Sequence, residues 1–182
     1  MHKLPLFDQG FASRISAAFE DFLNIAFELN WKTKKINPDD LVWELSLEED
    51  FYYLGILSKL EGGVTAYALI LMDLSSADEL INTLTNEHIY LLDEYKETAM
   101  QELANIVIGA FSSEVEKKTG ERVDYQIPLV AVDLPMALAD AICSKISETN
   151  DQEVLLLDLK CPMPLIYIKI LFFYILGCEK LA

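Results

Sequence analysis

Residues 93–120 read DEYKETAMQELANIVIGAFSSEVEKKTG and residues 121–133 read ERVDYQIPLVAVD; these two segments decide the fold. Turned through 100° per residue, Met100, Leu103, Ala104, Val107, Ile108, Phe111 and Val115 fall within one arc, the apolar stripe of a helix packed on a core. Asp93 precedes this pattern and Gly120 follows it, so a helix is expected from about Asp93 to Lys118. Thr98, Glu102, Asn105 and Gly109 fall together on the opposite side, flanked by Ala99, Ile106 and Ala110. Mid-helix glycine costs about 1 kcal/mol relative to alanine, so Gly109 predicts a backbone that something approaches closely. Small apolar neighbours around two polar side chains make that side a candidate docking surface. The segment Arg122–Asp133 reads as a strand with Pro128 inside it.

Upstream, Phe11, Ile15, Ala18, Phe19, Phe22, Leu23, Ala26 and Phe27 recur at three and four, which predicts a first long helix from Phe11 to about Trp31. Asn37-Pro38-Asp39-Asp40 breaks the pattern. LVWELSL (41–47), FYYLGILSKL (51–60) and VTAYALILMD (64–73) read as strands. The last two are joined at Glu61-Gly62-Gly63, a hairpin signal because glycine tolerates positive φ. Ser76-Ala77-Asp78-Glu79 has capping-box spacing and predicts a short helix through about Leu84. Toward the C-terminus, MALADAICSKI (136–146) reads as a helix, while EVLLLDLK (153–160) and LIYIKILFF (165–173) read as a closing strand pair. Helix and strands thus recur in two similar halves. Lys34-Lys35 after the first long helix echoes Lys117-Lys118 at the end of the second.

A chain of 182 residues with 52% hydrophobic and 24% charged residues can bury a sizeable core within one domain. The net charge of −16 argues against nucleic acid, because a phosphate backbone needs a basic face to release its counterions. It fits a soluble cytoplasmic protein whose partner carries a lysine-rich face. No signal-peptide pattern is expected from MHKLPLFDQGF. The greasiest run, residues 165–177, contains Lys169 and is shorter than the roughly 20 residues a membrane helix needs, so it is expected to be a buried strand. Cys143, Cys161 and Cys178 lack CxxC spacing, and His2 and His88 stand apart, so no metal site is expected and the thiols should be buried.

The segments ETAMQELANIVIGAF (97–111) and GERVDYQIP (120–128) resemble the CheC/CheX family of response-regulator phosphatases. The motif of that family is an acidic or serine residue, then ExxN, then a proline after a gap of twenty-two residues. Glu102, Asn105 and Pro128 match; Thr98 occupies the first slot, keeping a hydroxyl but losing an acidic contact to the partner. The resemblance implies an α/β (α+β) CheC-like fold, with two pseudo-symmetric halves and long helices packed on a largely antiparallel sheet. Residues 1–182 would form one such domain, with halves of about 1–90 and 91–182.

It also implies a function in chemotaxis or two-component signalling: hydrolysis of the aspartyl phosphate of a CheY-type receiver. Asn105 would orient the attacking water, and Glu102 would contact the receiver's conserved lysine. Thr98, Ile106 and Gly109 would touch the partner, while Pro128 would shape the strand edge near the site. No cofactor of its own is implied, because the Mg²⁺ belongs to the receiver. Homodimers are common in the CheX branch, and a strand edge near the C-terminus would support one. In the first half, Asp21 and Asn24 have related spacing, with Ala17 four residues before Asp21, but Leu47 stands where proline is due. That face is expected to be inert or to serve packing. Two other readings stay open: a non-catalytic module of the same fold that binds a receiver or flagellar-switch protein, and a sensor domain with a closed apolar pocket.

Overall fold

The computed structural model describes residues 7–37, 40–86, 92–146 and 152–175. In chain order these form α1 (Gln9–Leu23), β1 (Glu28–Ile36), α2 (Leu41–Glu44), β2 (Tyr53–Gly62), β3 (Ala66–Asp73), α3 (Leu74–Thr85), α4 (Glu94–Thr119), β4 (Val123–Tyr125), β5 (Leu129–Asp133), α5 (Pro135–Ile146), β6 (Gln152–Pro162) and β7 (Leu165–Ile175). All strands join one antiparallel sheet in the order β1-β6-β7-β3-β2, with β4 and β5 sharing the outer edge of β2.

Both faces of this sheet are covered, which explains why its central strands read as nearly unbroken apolar runs. Ile166, Ile168, Ile170 and Phe172 of β7 point into the core under α1, α3 and α4. The alternate residues Leu171 and Phe173 point to a second core under α2 and α5. Exchanging α1 with α4, β1 with β4–β5, α2 with α5, and the β2–β3 hairpin with β6–β7 reverses the strand order onto itself. Each half therefore gives its first strand to the hairpin of the other half. At the β2–β3 turn Gly62 has φ +122°, and a Cβ there would stand 2.2 Å from the Arg122 carbonyl oxygen, so only glycine fits.

Several sequence expectations need correction. The first helix stops at Leu23 instead of continuing to Trp31. Asn24 takes the left-handed conformation, and the Glu20 carboxylate accepts the Phe27 N–H at 3.0 Å. Glu28–Ile36, with Lys34-Lys35 inside it, is an edge strand. LVWELSL contains no strand: Leu41, Val42 and Leu45 are buried at helical spacing by the short α2. The third helix starts before Ser76, because Asp73 is the cap and accepts the Ser76 N–H at 2.8 Å. The strand expected over Arg122–Asp133 is divided into β4 and β5. β7 is buried as expected but lies inside the sheet, so the free edges belong to β1 and β4–β5 and not to the C-terminal strand. Cys161 is buried and Cys143 half-buried, while Cys178, His2 and His88 lie outside the described residues. Among the described residues no helix is long and apolar enough to cross a membrane, and no cluster of three acidic, His or Cys side chains could hold a metal ion.

Candidate functional site on the outer face of helix α4

Helix α4 is stiffened at both ends and along its inner side. Asp93 caps its N-terminus, accepting the Lys96 N–H at 3.0 Å, and Gly120 closes it in the left-handed region at φ +75°. Glu94 and Glu97 in the first turn and Lys117 and Lys118 in the last complement the helix dipole. Met100, Leu103, Ala104, Val107, Ile108, Phe111 and Val115 are all buried, as the periodicity requires. Phe111 stacks on Phe172 with ring centroids 3.8 Å apart and meets Phe11 edge-on.

Polar clamps tie α4 to α1. Arg14 pairs with the buried Glu114, which also accepts Lys117 at 2.7 Å, and Lys118 reaches Asp8 at 2.6 Å. Burial pushes the Glu114 carboxyl up, but Lys117 and Arg14 together outweigh it and hold it below its ordinary value. Asp8 is lowered by Lys118 and by the Phe11 N–H, and Asp93 by the backbone N–H and ammonium of Lys96.

The opposite face carries the candidate pair. Glu102 is exposed and Asn105 half-buried, one helical turn apart. Neither side chain has a hydrogen-bond or ion-pair partner among the described residues. The buried polar side-chain atom without a partner in this region is the hydroxyl of Ser112, so the Asn105 amide is in reach of water. Thr98 is exposed, and its hydroxyl donates to the Glu94 carbonyl at 2.8 Å, which leaves only acceptor capacity toward another molecule. Ile106 and Gly109 are half-buried on the same side. Among the described residues nothing crowds Gly109: a Cβ there would meet the Tyr125 hydroxyl at 3.7 Å, an ordinary contact. The close approach expected at that glycine is not made by any described residue.

Pro128 lies buried where β4 gives way to β5. Tyr125 faces Leu60 and Leu129 faces Leu57, so four steps along this edge oppose three along β2. The extra residue makes a β-bulge. Hydrogen bonds hold it in place: the Gln126 N–H donates to the Lys59 carbonyl at 2.9 Å, and the Ser58 hydroxyl donates to the Gln126 carbonyl at 2.7 Å. The Gln101 amide donates to the Pro128 carbonyl at 2.9 Å. Pro128, which cannot donate to a ladder, sits at a bulge on an edge, one of the few sheet positions that tolerate it. Sequence reading missed Gln101 and Ser58. Gln101 lies between the two arcs of α4, and Ser58 reads only as an ordinary strand residue.

In the first half the related spacing of Asp21 and Asn24 comes to nothing geometrically, because the helix ends at Leu23 and Asn24 turns out of it. Leu47 lies half-buried in the loop after α2. A groove of about 510 Å³, lined by Leu47, Tyr53, Leu71 and Tyr167 among others, crosses the far face of the sheet and is open to solvent.

No family model matches the chain. Among solved structures, it is similar to CheX in a CheX–CheY complex with BeF3 and Mg²⁺ from Borrelia burgdorferi: TM-score 0.63, 19% identity, 90% of this chain and 94% of that one covered. FliY of Thermotoga maritima gives a TM-score of 0.65 at 11% identity, covering 94% and 91%. A CheC-like superfamily protein from Shewanella sp. PV-4 gives 0.58 at 14%, covering 93% and 99%. The fold is therefore of the CheC/CheX type, with its antiparallel sheet and paired long helices.

Proposed function

We propose that this chain is a cytoplasmic phosphatase that removes the aspartyl phosphate from a CheY-type receiver, with α4 as the element that enters the receiver's site. The observation that carries this reading is the partnerless pair on α4, a carboxylate and an amide that share one face of a clamped helix. The likeness to a CheX that was solved bound to CheY supports it.

In the reaction, water attacks phosphorus, the bond from phosphorus to the aspartyl oxygen breaks, and the aspartate carboxylate and inorganic phosphate are released. Phosphoryl transfer of this kind depends on positioning and electrostatics more than on a strong base. The neutral amide of Asn105 meets that demand, since it accepts a proton of the incoming water in a hydrogen bond and fixes its line of attack without adding charge. A carboxylate at that position would repel the phosphoryl group. Glu102, one turn earlier, makes a charge-assisted hydrogen bond to the receiver's lysine and sets the register of docking. The receiver's Mg²⁺ neutralises charge on the phosphoryl oxygens, and Pro128 keeps the neighbouring strand edge in place.

The test uses the isolated CheY-type receivers encoded in the same genome, phosphorylated with acetyl phosphate. Phosphate release should be accelerated by the wild type, and Asn105→Ala should lower the rate about 100-fold or more while the receiver still binds. Equal rates for the two proteins would exclude the catalytic role. A second reading, a binding module without hydrolysis, gains support from the internal bond of Thr98. It predicts binding with no change in the receiver's phosphate lifetime.

A further inference from the structure

We infer that Tyr95 and Tyr125 are two aromatic grips for the receiver, one at each end of the face that carries Glu102 and Asn105. This inference rests on the phosphatase reading of α4. Tyr95, Glu102 and Gly109 follow one another at intervals of seven along the helix. They therefore lie on one stripe, which drifts by only about 20° per interval. Tyr95 begins that stripe and is 60% exposed. The other end is supplied by a different element. A Cβ on Gly109 would point outward from α4 and meet the Tyr125 hydroxyl at 3.7 Å. The phenol from β4 thus overhangs the outer face one turn beyond Asn105. Tyr125 is 41% exposed there, and with Gly109 it lines an open groove of about 430 Å³.

Distances decide whether one partner meets both rings. At about 1.5 Å per residue, Tyr95 and Gly109 stand about 21 Å apart along α4, with Asn105 about 6 Å from Gly109. A standard interface covers about 800 Å² of each partner, equivalent to a disc about 32 Å across. A receiver centred on Glu102 and Asn105 therefore covers both tyrosines. Neither phenol has a hydrogen-bond partner among the described residues, so each offers a ring for burial and a hydroxyl for bonding. Tyrosine dominates many interfaces because a stiff ring buries much area at a low cost in entropy. The support of Tyr125 is set in advance. It pairs with Leu60 of β2, the Val123 N–H donates to the Glu116 carboxylate at 2.7 Å, and the Gln126 N–H donates to the Lys59 carbonyl at 2.9 Å. Tyr95 stands in the first turn of a capped helix. Glu102 and Asn105 lie between these rings, which shut water out once the receiver is seated. A drier surround strengthens the bond that Glu102 makes to the receiver's lysine.

The experiment measures Kd by calorimetry for each receiver of the same panel, loaded with beryllofluoride and Mg²⁺ so that hydrolysis plays no part, together with kcat and KM for the phosphorylated forms. Tyr95→Ala and Tyr125→Thr, the latter keeping strand propensity in β4, should each weaken binding about tenfold and raise KM to match, with kcat nearly unchanged. Tyr125→Phe keeps the ring and should lose less. The losses should persist at high salt, unlike a Glu102 effect, which salt screens. Trp43 is 74% exposed on α2, over the other face of the sheet, and Trp43→Ala should leave Kd unchanged. Unchanged Kd at either tyrosine, or an equal loss at Trp43, overturns the inference, even if Asn105→Ala abolishes turnover and the phosphatase reading stands. If Asn105→Ala leaves turnover intact, the catalytic reading fails, and the Kd values still decide whether the tyrosines grip the receiver. Failure of the wild type to bind any receiver overturns both.

Discussion

Helices α1 and α4 hold equivalent places in the two halves, and they differ in the polar groups that their outer faces carry. Each begins at an aspartate cap, Asp8 or Asp93, that accepts the N–H of the third residue on. Each is closed by a residue in the left-handed conformation, Asn24 or Gly120. Counted from the caps, the buried positions coincide: Phe11, Ile15, Phe19 and Leu23 match Lys96, Met100, Ala104 and Ile108. In that register Glu102 and Asn105 correspond to Ala17 and Glu20. Ala17 has no functional group, and Glu20 is engaged with the Phe27 N–H. Packing has kept the repeat; at these two positions only α4 carries an exposed carboxylate and a half-buried amide.

The largest effect is expected where the two helices share a core. Phe111→Ala removes a ring stacked on Phe172 and in edge contact with Phe11, and should cost about 3–5 kcal/mol in urea denaturation. Phe22→Ala, on the exposed side of α1, should cost far less. Comparable costs would mean that the seam is not the shared centre of the fold. Next in size is the functional asymmetry: Asn105→Ala should lower phosphate release about 100-fold or more, whereas Glu20→Gln should leave it unchanged. A matching loss at Glu20 would show that the first half also catalyses.

Acid should act through the clamps between the helices and through the cap of α4. Asp8 and Asp93, ordinarily at 3.8, and Glu114, ordinarily at 4.5, all titrate lower in the folded chain. Each therefore binds its proton more readily when unfolded. The stability this gives is complete above those ordinary values and is lost as pH falls through the lower folded values. Urea midpoints measured downward from pH 6 should drop over that window, and Glu114→Gln should flatten part of the drop. A parallel acid limb in the variant would remove Glu114 from the explanation.

Much of this is legible in the sequence, for reasons that particular residues make plain. The inner arc of α4, its cap at Gly120, the β2–β3 hairpin and the exposure of Glu102 follow from local periodicity and turn chemistry. The end of α1 does not, because Ala26 and Phe27 continue the three-four pattern after the helix has stopped. Phe27 is buried through a turn that the Glu20 side chain holds, not through helix. LVWELSL satisfies alternation and helical spacing equally well, and the tertiary burial of Leu41, Val42 and Leu45 decides it. The interior place of β7 arises from its pairing with β3 of the other half, a long-range pairing that no local pattern encodes. Pro128 announces a shaped strand edge, but the bulge itself depends on Ser58 and Gln101, which lie far from it in sequence.

The smallest effect is expected at Asn24, and it bears most directly on whether the first half is silent. Asn24 sits at φ 53° and ψ 39°, where a Cβ is strained and where asparagine is one of the few side chains found routinely. Its N–H donates to the Glu20 carbonyl, so its place in the fold is that of a helix terminator. Asn24→Ala keeps the Cβ but loses the local bonding that makes the conformation tolerable, and should cost about 1 kcal/mol. Asn24→Gly removes the strain and adds freedom to the unfolded chain; the two nearly offset, leaving a change within about 0.5 kcal/mol. Neither variant should alter phosphate release, because the side chain leaves the helix at its end and cannot share a face with Asp21. If Asn24→Gly kept its stability but slowed hydrolysis, the amide itself would be at work, and α1 would have to be counted as a second functional surface.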